Sequence, residues 1–308
     1  MPNMTWRLVR WSLGIAVVIF AGRSIAANWH TLREQPVAWS ISVLPIALAL
    51  LLTWAVYATL VQAWRVMLAG WGERLGFLPS ARIWTISSLG KYVPGQVWAI
   101  ASMAVMAQRA GVAPWAATGS SILLQGLAVG TGAAILAATG TTLLERQYPW
   151  AGTVVLVLLA ASVCGVVALL WPPFVRRVLR QFRLDAPGRR QPSLPHMLVG
   201  AVVNAAAWIG YGAALWLLAR GLVAAPALTP RLAVGAFVAS YLSGFLAFGV
   251  PAGLGVREIV FVATLQGALG LPVALALAAA SRVMLTVADF GAAAPFLVSA
   301  RGSTRAAI

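Results

Sequence analysis

Ser87-Ser88-Leu89-Gly90-Lys91-Tyr92-Val93-Pro94-Gly95-Gln96-Val97-Trp98 interrupts two apolar runs, and it carries the only lysine in the chain. Pro94 has no N–H and clashes with the preceding turn, and Gly95 adds backbone freedom. The stretch therefore predicts a helix running from Arg82 to near Val93 and a second helix starting at Gly95. At membrane depth, the N–H groups of Gly95, Gln96 and Val97 would form a positive helix end beside Lys91, suited to an anion. A mid-membrane charge costs about 2.5 to 3.5 kcal/mol on insertion scales, so a lysine kept there has a use. The plainer reading is a proline kink in an ordinary spanning helix with Lys91 snorkelling outward.

Working outward, 61% of the 308 residues are hydrophobic and 9% are charged. Mean hydropathy is +0.89. Runs of mostly apolar residues recur, each long enough to cross about 30 Å of hydrocarbon as a helix. They are apolar all round, where barrel strands would alternate. The expected class is all-α: a polytopic membrane helical bundle. The net charge of +16 lies in short loops, which argues against nucleic acid. It fits the positive-inside rule and attraction to anionic lipid heads, about 1 kcal/mol per basic residue near the surface. Cys164 stands alone in an apolar run and reads as a core packing residue, while His30 and His196 lie far apart. No disulfide, metal or cofactor is expected.

Arg7 and Arg10 before an apolar run, with small residues over Ser24 to Ala27, imitate a signal peptide. An uncleaved first span from Trp11 to about Trp29 is the preferred reading. A second span is expected over Ala38 to Val61, then a basic loop with Arg65, Arg74 and Arg82. Spans over Trp115 to Gly140 and Trp150 to Trp171 follow, with tryptophans at interfacial positions. Arg176, Arg177, Arg180, Arg183, Arg189 and Arg190 then mark a cytoplasmic loop. For both basic loops to be inside, the segment 82–109 must enter and leave on one side, as a re-entrant hairpin whose arms are half the membrane thickness.

The rest repeats this order: a span over Leu194 to Ala219, a loop with Arg220 and Arg231, a broken hairpin, and a last span over Val273 to Ser299. Val93-Pro94 aligns with Val250-Pro251. The expected divisions are 1–37, first span and loop; 38–140, first repeat with hairpin 82–109; 141–193, linking span and basic loop; and 194–300, second repeat with broken hairpin 232–270. About six full spans plus two re-entrant or broken hairpins then form an inverted repeat, with the hairpin tips meeting near the midplane. For residues 232–270, two short spans are the alternative.

Arg257 and Glu258 follow the turn Pro251-Ala252-Gly253-Leu254-Gly255 at the start of a half-helix, so this tip also offers N–H groups and a cation. Glu258 suits a helix cap equally well. Arg282 and Asp289 share a helix face two turns apart, and can pair through a bridging group or with Arg257 and Glu258. The candidate substrate-binding residues are Lys91, Tyr92, Pro94, Gly95, Gln96, Pro251, Gly253, Gly255, Arg257, Glu258, Arg282 and Asp289; none is expected to be catalytic. Gly126 and Gly130 form a Gly-x-x-x-Gly packing pattern.

Gly90-Lys91-Tyr92-Val93-Pro94-Gly95-Gln96-Val97-Trp98, Arg109-Ala110-Gly111-Val112 and Pro251-Ala252-Gly253-Leu254-Gly255-Val256-Arg257-Glu258 resemble the lysylphosphatidylglycerol synthase transmembrane region, or flippase-like, family. The second motif more often reads Pro-Gly-Gly there, so Ala252 is a departure. The synthases carry a soluble aminoacyl-transfer domain after the membrane region; this sequence stops at Ile308, so no such domain is expected. The resemblance implies lipid translocation, with relatives beside glycosyltransferases implying lipid-linked sugars. The expectation is a flippase for a phospholipid or a polyprenyl-phosphate-linked glycan in a bacterial inner membrane, with both termini cytoplasmic. Membrane lipids and a glycosyltransferase are the expected partners. The alternatives are a membrane-embedded lipid-phosphate transferase or hydrolase using Glu258 or Asp289 as base, and a non-catalytic partner of a glycosyltransferase.

Overall fold

The computed structural model describes residues 39–93, 98–144, 151–181, 184, 190–224, 226–247, 250 and 253–305. The expected first span and the tip residues Pro94, Gly95, Gln96, Pro251 and Ala252 lie outside the described residues. The helices are α1 (Val43–Gly70), α2 (Phe77–Ser88), a 3-10 turn (Leu89–Tyr92), α3 (Trp98–Arg109), α4 (Pro114–Leu144), α5 (Ala151–Leu170), α6 (Pro172–Gln181), α7 (Leu194–Leu222), α8 (Pro230–Leu246), α9 (Val256–Leu269) and α10 (Leu271–Arg305).

Four helices are long and apolar enough to cross a membrane: Val43–Gly70, Pro114–Thr139, Leu194–Leu222 and Leu271–Val298. Counting the bent pair Ala160–Leu170 and Pro173–Gln181 as one span makes up to five among the described residues. The order of long helix, two short helices, long helix occurs twice, in α1 to α4 and in α7 to α10.

α1 and α7 run antiparallel along each other. Ser42 N–H donates to Gly221 O (2.9 Å) and Ser40 N–H to Leu222 O (3.1 Å), which ties the start of α1 to the end of α7. At the other end, a Cβ on Gly70 would lie 2.8 Å from Pro192 Cα. Glycine lets the backbones approach this closely, which is how helices gain contact in a lipid-like medium. The Gly126 and Gly130 pattern acts the same way between α4 and α5: Cβ atoms there would meet Leu169 at 3.2 Å and Val166 at 2.7 Å.

The α2–α3 hairpin begins and ends in one place. Ala113 N–H, after α3, donates to Glu73 Oε1, before α2, at 3.3 Å, and Trp71 meets Trp115 edge-on at 5.5 Å. Between these ends the arms lie side by side, since a Cβ on Gly90 would sit 2.8 Å from Ala99 N. Each arm is a helix of 12 residues, about 18 Å long. In the second hairpin, Arg231 Nη2 near the start of α8 donates to Ala138 O, late in α4, at 2.7 Å. Thr229 caps α8 by accepting from Leu232 N–H (3.2 Å), with Pro230 at the first helical position.

Several expectations need correction. The helix expected from Arg82 starts at Phe77 and gives way to a 3-10 turn after Ser88. Arg65 lies inside α1, because its side chain reaches along the helix to donate to Leu75 O (2.9 Å) and Gln62 Oε1 (2.6 Å). Arg176, Arg177 and Arg180 belong to α6: Val175 and Leu179, four apart, are buried while the arginines face out, so the segment is an amphipathic helix where a loop was expected. Cys164 is exposed. Among the described residues nothing covers its side of α5, and a run that is apolar all round carries no signal of which face is inward.

Candidate functional site

The first hairpin tip is fastened to a buried carboxylate. Asp289 on α10 is 5% exposed. Its Oδ1 accepts from Tyr57 Oη (2.8 Å), and its Oδ2 accepts from Tyr92 Oη (2.7 Å) and pairs with Lys91 Nζ (2.6 Å). Tyr57 stands half-way along α1, so this puts Lys91 level with the middle of a spanning helix. Neighbouring contacts hold the level: Trp54 Nε1 donates to Ala288 O (3.0 Å), and Tyr92 stacks on Phe290 at 5.7 Å. A charge needs such partners at this depth, because an ion without them would be expelled or neutralised.

The second tip is built differently. Gly253 and Gly255 have φ of 65° and 82°, left-handed values that favour glycine. A Cβ on Gly253 would come within 2.6 Å of Gly244 Cα, so α8 touches the turn directly. Glu258, at the third position of α9, accepts the Gly255 N–H at 2.5 Å. That donor is taken up by the cap, the alternative expected for Glu258. The other Glu258 oxygen pairs with Arg282 at 3.4 Å. Glu258 is thus both cap and ion-pair partner. Of the pairings expected for Arg282 and Asp289, the Arg282–Glu258 one forms, while Asp289 takes Lys91 instead.

Arg257 is what remains. Its guanidinium lies over Phe237 (5.2 Å) and Tyr241 (5.5 Å), and its buried Nη2 has no hydrogen-bond partner among the described residues. Among the described residues no carboxylate lies within ion-pair distance of it. Cation–π contact offsets part of the burial cost, about 2 kcal/mol when desolvated, but does not neutralise the charge.

Aromatic rings join the two tips. Tyr57 meets Tyr211 at 6.3 Å, Tyr211 stacks on Phe237 at 5.0 Å, and Phe237 on Tyr241 at 6.2 Å. Lys91 with Asp289 and Arg282 with Glu258 each sum to zero, so among the described residues Arg257 leaves the centre one net positive charge. Tyr57, Tyr211, Phe237 and Tyr241 were not among the sequence candidates. The available signal was depth: Tyr57 and Tyr211 lie in the middle of apolar runs, away from the interfacial positions tyrosine favours. No cluster of three or more metal-ligating side chains occurs among the described residues.

The family model described as the lysylphosphatidylglycerol synthase TM region matches residues 7–302. No match was found among curated proteins.

Proposed function

We propose, starting from a chain that belongs to the lysylphosphatidylglycerol synthase TM region family, that this integral membrane protein carries a phosphate-bearing lipid head group between leaflets. The observation that carries this reading is Arg257, a buried guanidinium with one Nη unpartnered. A buried donor left unsatisfied and a cation left uncompensated are both costly, and one anionic group relieves both. An Arg fork also fits phosphate oxygens. The acyl or prenyl chains stay in the bilayer.

The antiparallel α1 and α7, together with the repeated helix order, support an inverted repeat. The joined ends of the first hairpin and the mid-helix level of Lys91 support re-entrance. The end of the molecule where Gly70 meets Pro192 also collects Arg65, Arg74, Arg109 and Arg190, which favours it as the cytoplasmic end of a bacterial inner-membrane protein. A transferase or hydrolase is disfavoured because Glu258 is held by its helix end and by Arg282, and Asp289 is buried behind Lys91, so neither faces a substrate as a general base.

The test uses proteoliposomes with fluorescent phosphatidylglycerol, phosphatidylcholine or a polyprenyl phosphate, followed by mass spectrometry of the lipids. Leaflet exchange without a new lipid species is expected, with Arg257→Met reducing it at least tenfold. A new species formed by wild type and absent with Glu258→Gln overturns transport in favour of chemistry.

A further inference from the structure

The carboxylate at the first tip sits where the proposed cargo would compete. Lys91 is 37% exposed through its side chain, while its partner Asp289 is only 4% exposed. An incoming anion therefore reaches the ammonium from the open side and cannot reach the carboxylate. The ammonium has three donors, and a phosphate has more oxygens to offer them than one Asp289 oxygen does. Once Lys91 turns to such an anion, Asp289 is an ionised group in a dry interior without its cation. Two hydroxyls alone are a poor substitute, and taking a proton removes the charge.

We infer that Asp289 is a proton site tied to anion binding: as a phosphate-bearing head group takes Lys91, one proton from water adds to the Asp289 carboxylate, and it returns to water when the anion leaves. This rests on the transport reading above and supplies its coupling ion. The balance is simple, since one negative charge on the cargo enters with one positive charge on the proton. The neutral acid keeps its place. Tyr57 still donates to Oδ1, and Tyr92 has a second acceptor 3.4 Å away in Thr286 Oγ1, so its hydroxyl can leave Oδ2 to the new proton.

The surroundings single out this carboxylate. Facing it are Tyr57 from α1 and Lys91 and Tyr92 from the tip. Tyr211 on α7 is within electrostatic reach of both Asp289 and Arg257. On α9, Glu258 is occupied by Arg282 and by its own helix end. Arg282, two turns along α10, is held by Glu258. Lys91 is thus the one cation within ion-pair distance of Asp289 among the described residues, and it is also the one an outside anion can take.

The experiment adds fluorescent phosphatidylglycerol to the purified protein in weakly buffered detergent, with a pH indicator present. The same lipid is then followed in phosphatidylcholine proteoliposomes with and without a pH gradient. About one proton taken up per bound lipid is expected, with transfer toward the alkaline side accelerated several-fold. Asp289→Asn should take up no proton per lipid bound and ignore the gradient. Binding and exchange without proton uptake, or an Asp289→Asn variant that still takes one up, overturns the proton site while leaving transport intact. Absence of both binding and exchange overturns transport and this inference with it. Should Asp289→Asn fail to fold, Tyr92→Phe keeps the carboxylate and removes one donor, which moves the midpoint of proton uptake to higher pH; an unmoved midpoint overturns the assignment.

Discussion

Arg257→Met separates what this residue does for folding from what it does for function. Burying an arginine at the centre of a membrane helix costs about 2.5 to 3.5 kcal/mol on insertion scales. The two rings beneath the guanidinium return about 0.5 to 2 kcal/mol. Methionine fills a similar volume with a flexible apolar chain and keeps favourable contact with both rings. The variant should therefore be more stable than wild type by about 0.5 to 3 kcal/mol, read as a higher denaturation midpoint in detergent. Leaflet exchange should fall at least tenfold. Arg257→Lys keeps the charge but loses the fork and should give intermediate exchange with stability near wild type. Destabilisation of Arg257→Met by 2 kcal/mol or more, or unchanged exchange, would refute the reasoning, because it would mean that the guanidinium serves the fold.

Tyr57→Phe removes a hydrogen bond to a buried carboxylate (2.8 Å) and should cost about 1.5 to 3 kcal/mol in the same denaturation assay. Gly253→Ala meets the Gly244 backbone at 2.6 Å with φ of 65° and should leave little folded protein on size-exclusion chromatography. Gly165→Ala, with nothing within 4 Å, should be close to neutral. In a Cys164→Ser background, cysteines at Gly111 and Arg74 should label from the cytoplasmic side and one at Val223 from the opposite side. Labelling of Gly111 and Arg74 from opposite sides would mean that the first hairpin crosses the membrane.

α4 and α5 were legible because mostly apolar runs begin at Trp115 and lie between Trp150 and Trp171, and membrane helices state their length in composition to within a turn. The break at Lys91 was legible from Pro94 and Gly95. The partner of Lys91 was not, since Asp289 is remote in sequence and no local spacing ties it to the tip. α6 was misread because counting charges marks an interface but does not weigh the apolar face, Val175 and Leu179, that folds it. The aromatic link was hidden for another reason: in a chain this apolar, Phe237 and Tyr241 look like any lipid-facing residues until a cation is found above them.

The latch between Tyr92 and Asp289 spans 197 residues of chain, and this sets a timetable for biogenesis. The helices flanking the first hairpin leave the ribosome early, whereas the carboxylate that neutralises its tip arrives with the last helix. Until then the nascent hairpin has a lysine to bury and nothing to bury it against, and its arms are too short to be handed to lipid as spans. On the re-entrant reading, its seating should be a late, post-insertion step. Truncation before α10 should leave a correctly threaded chain whose first hairpin remains at the aqueous boundary, open to protease until the final helix is supplied.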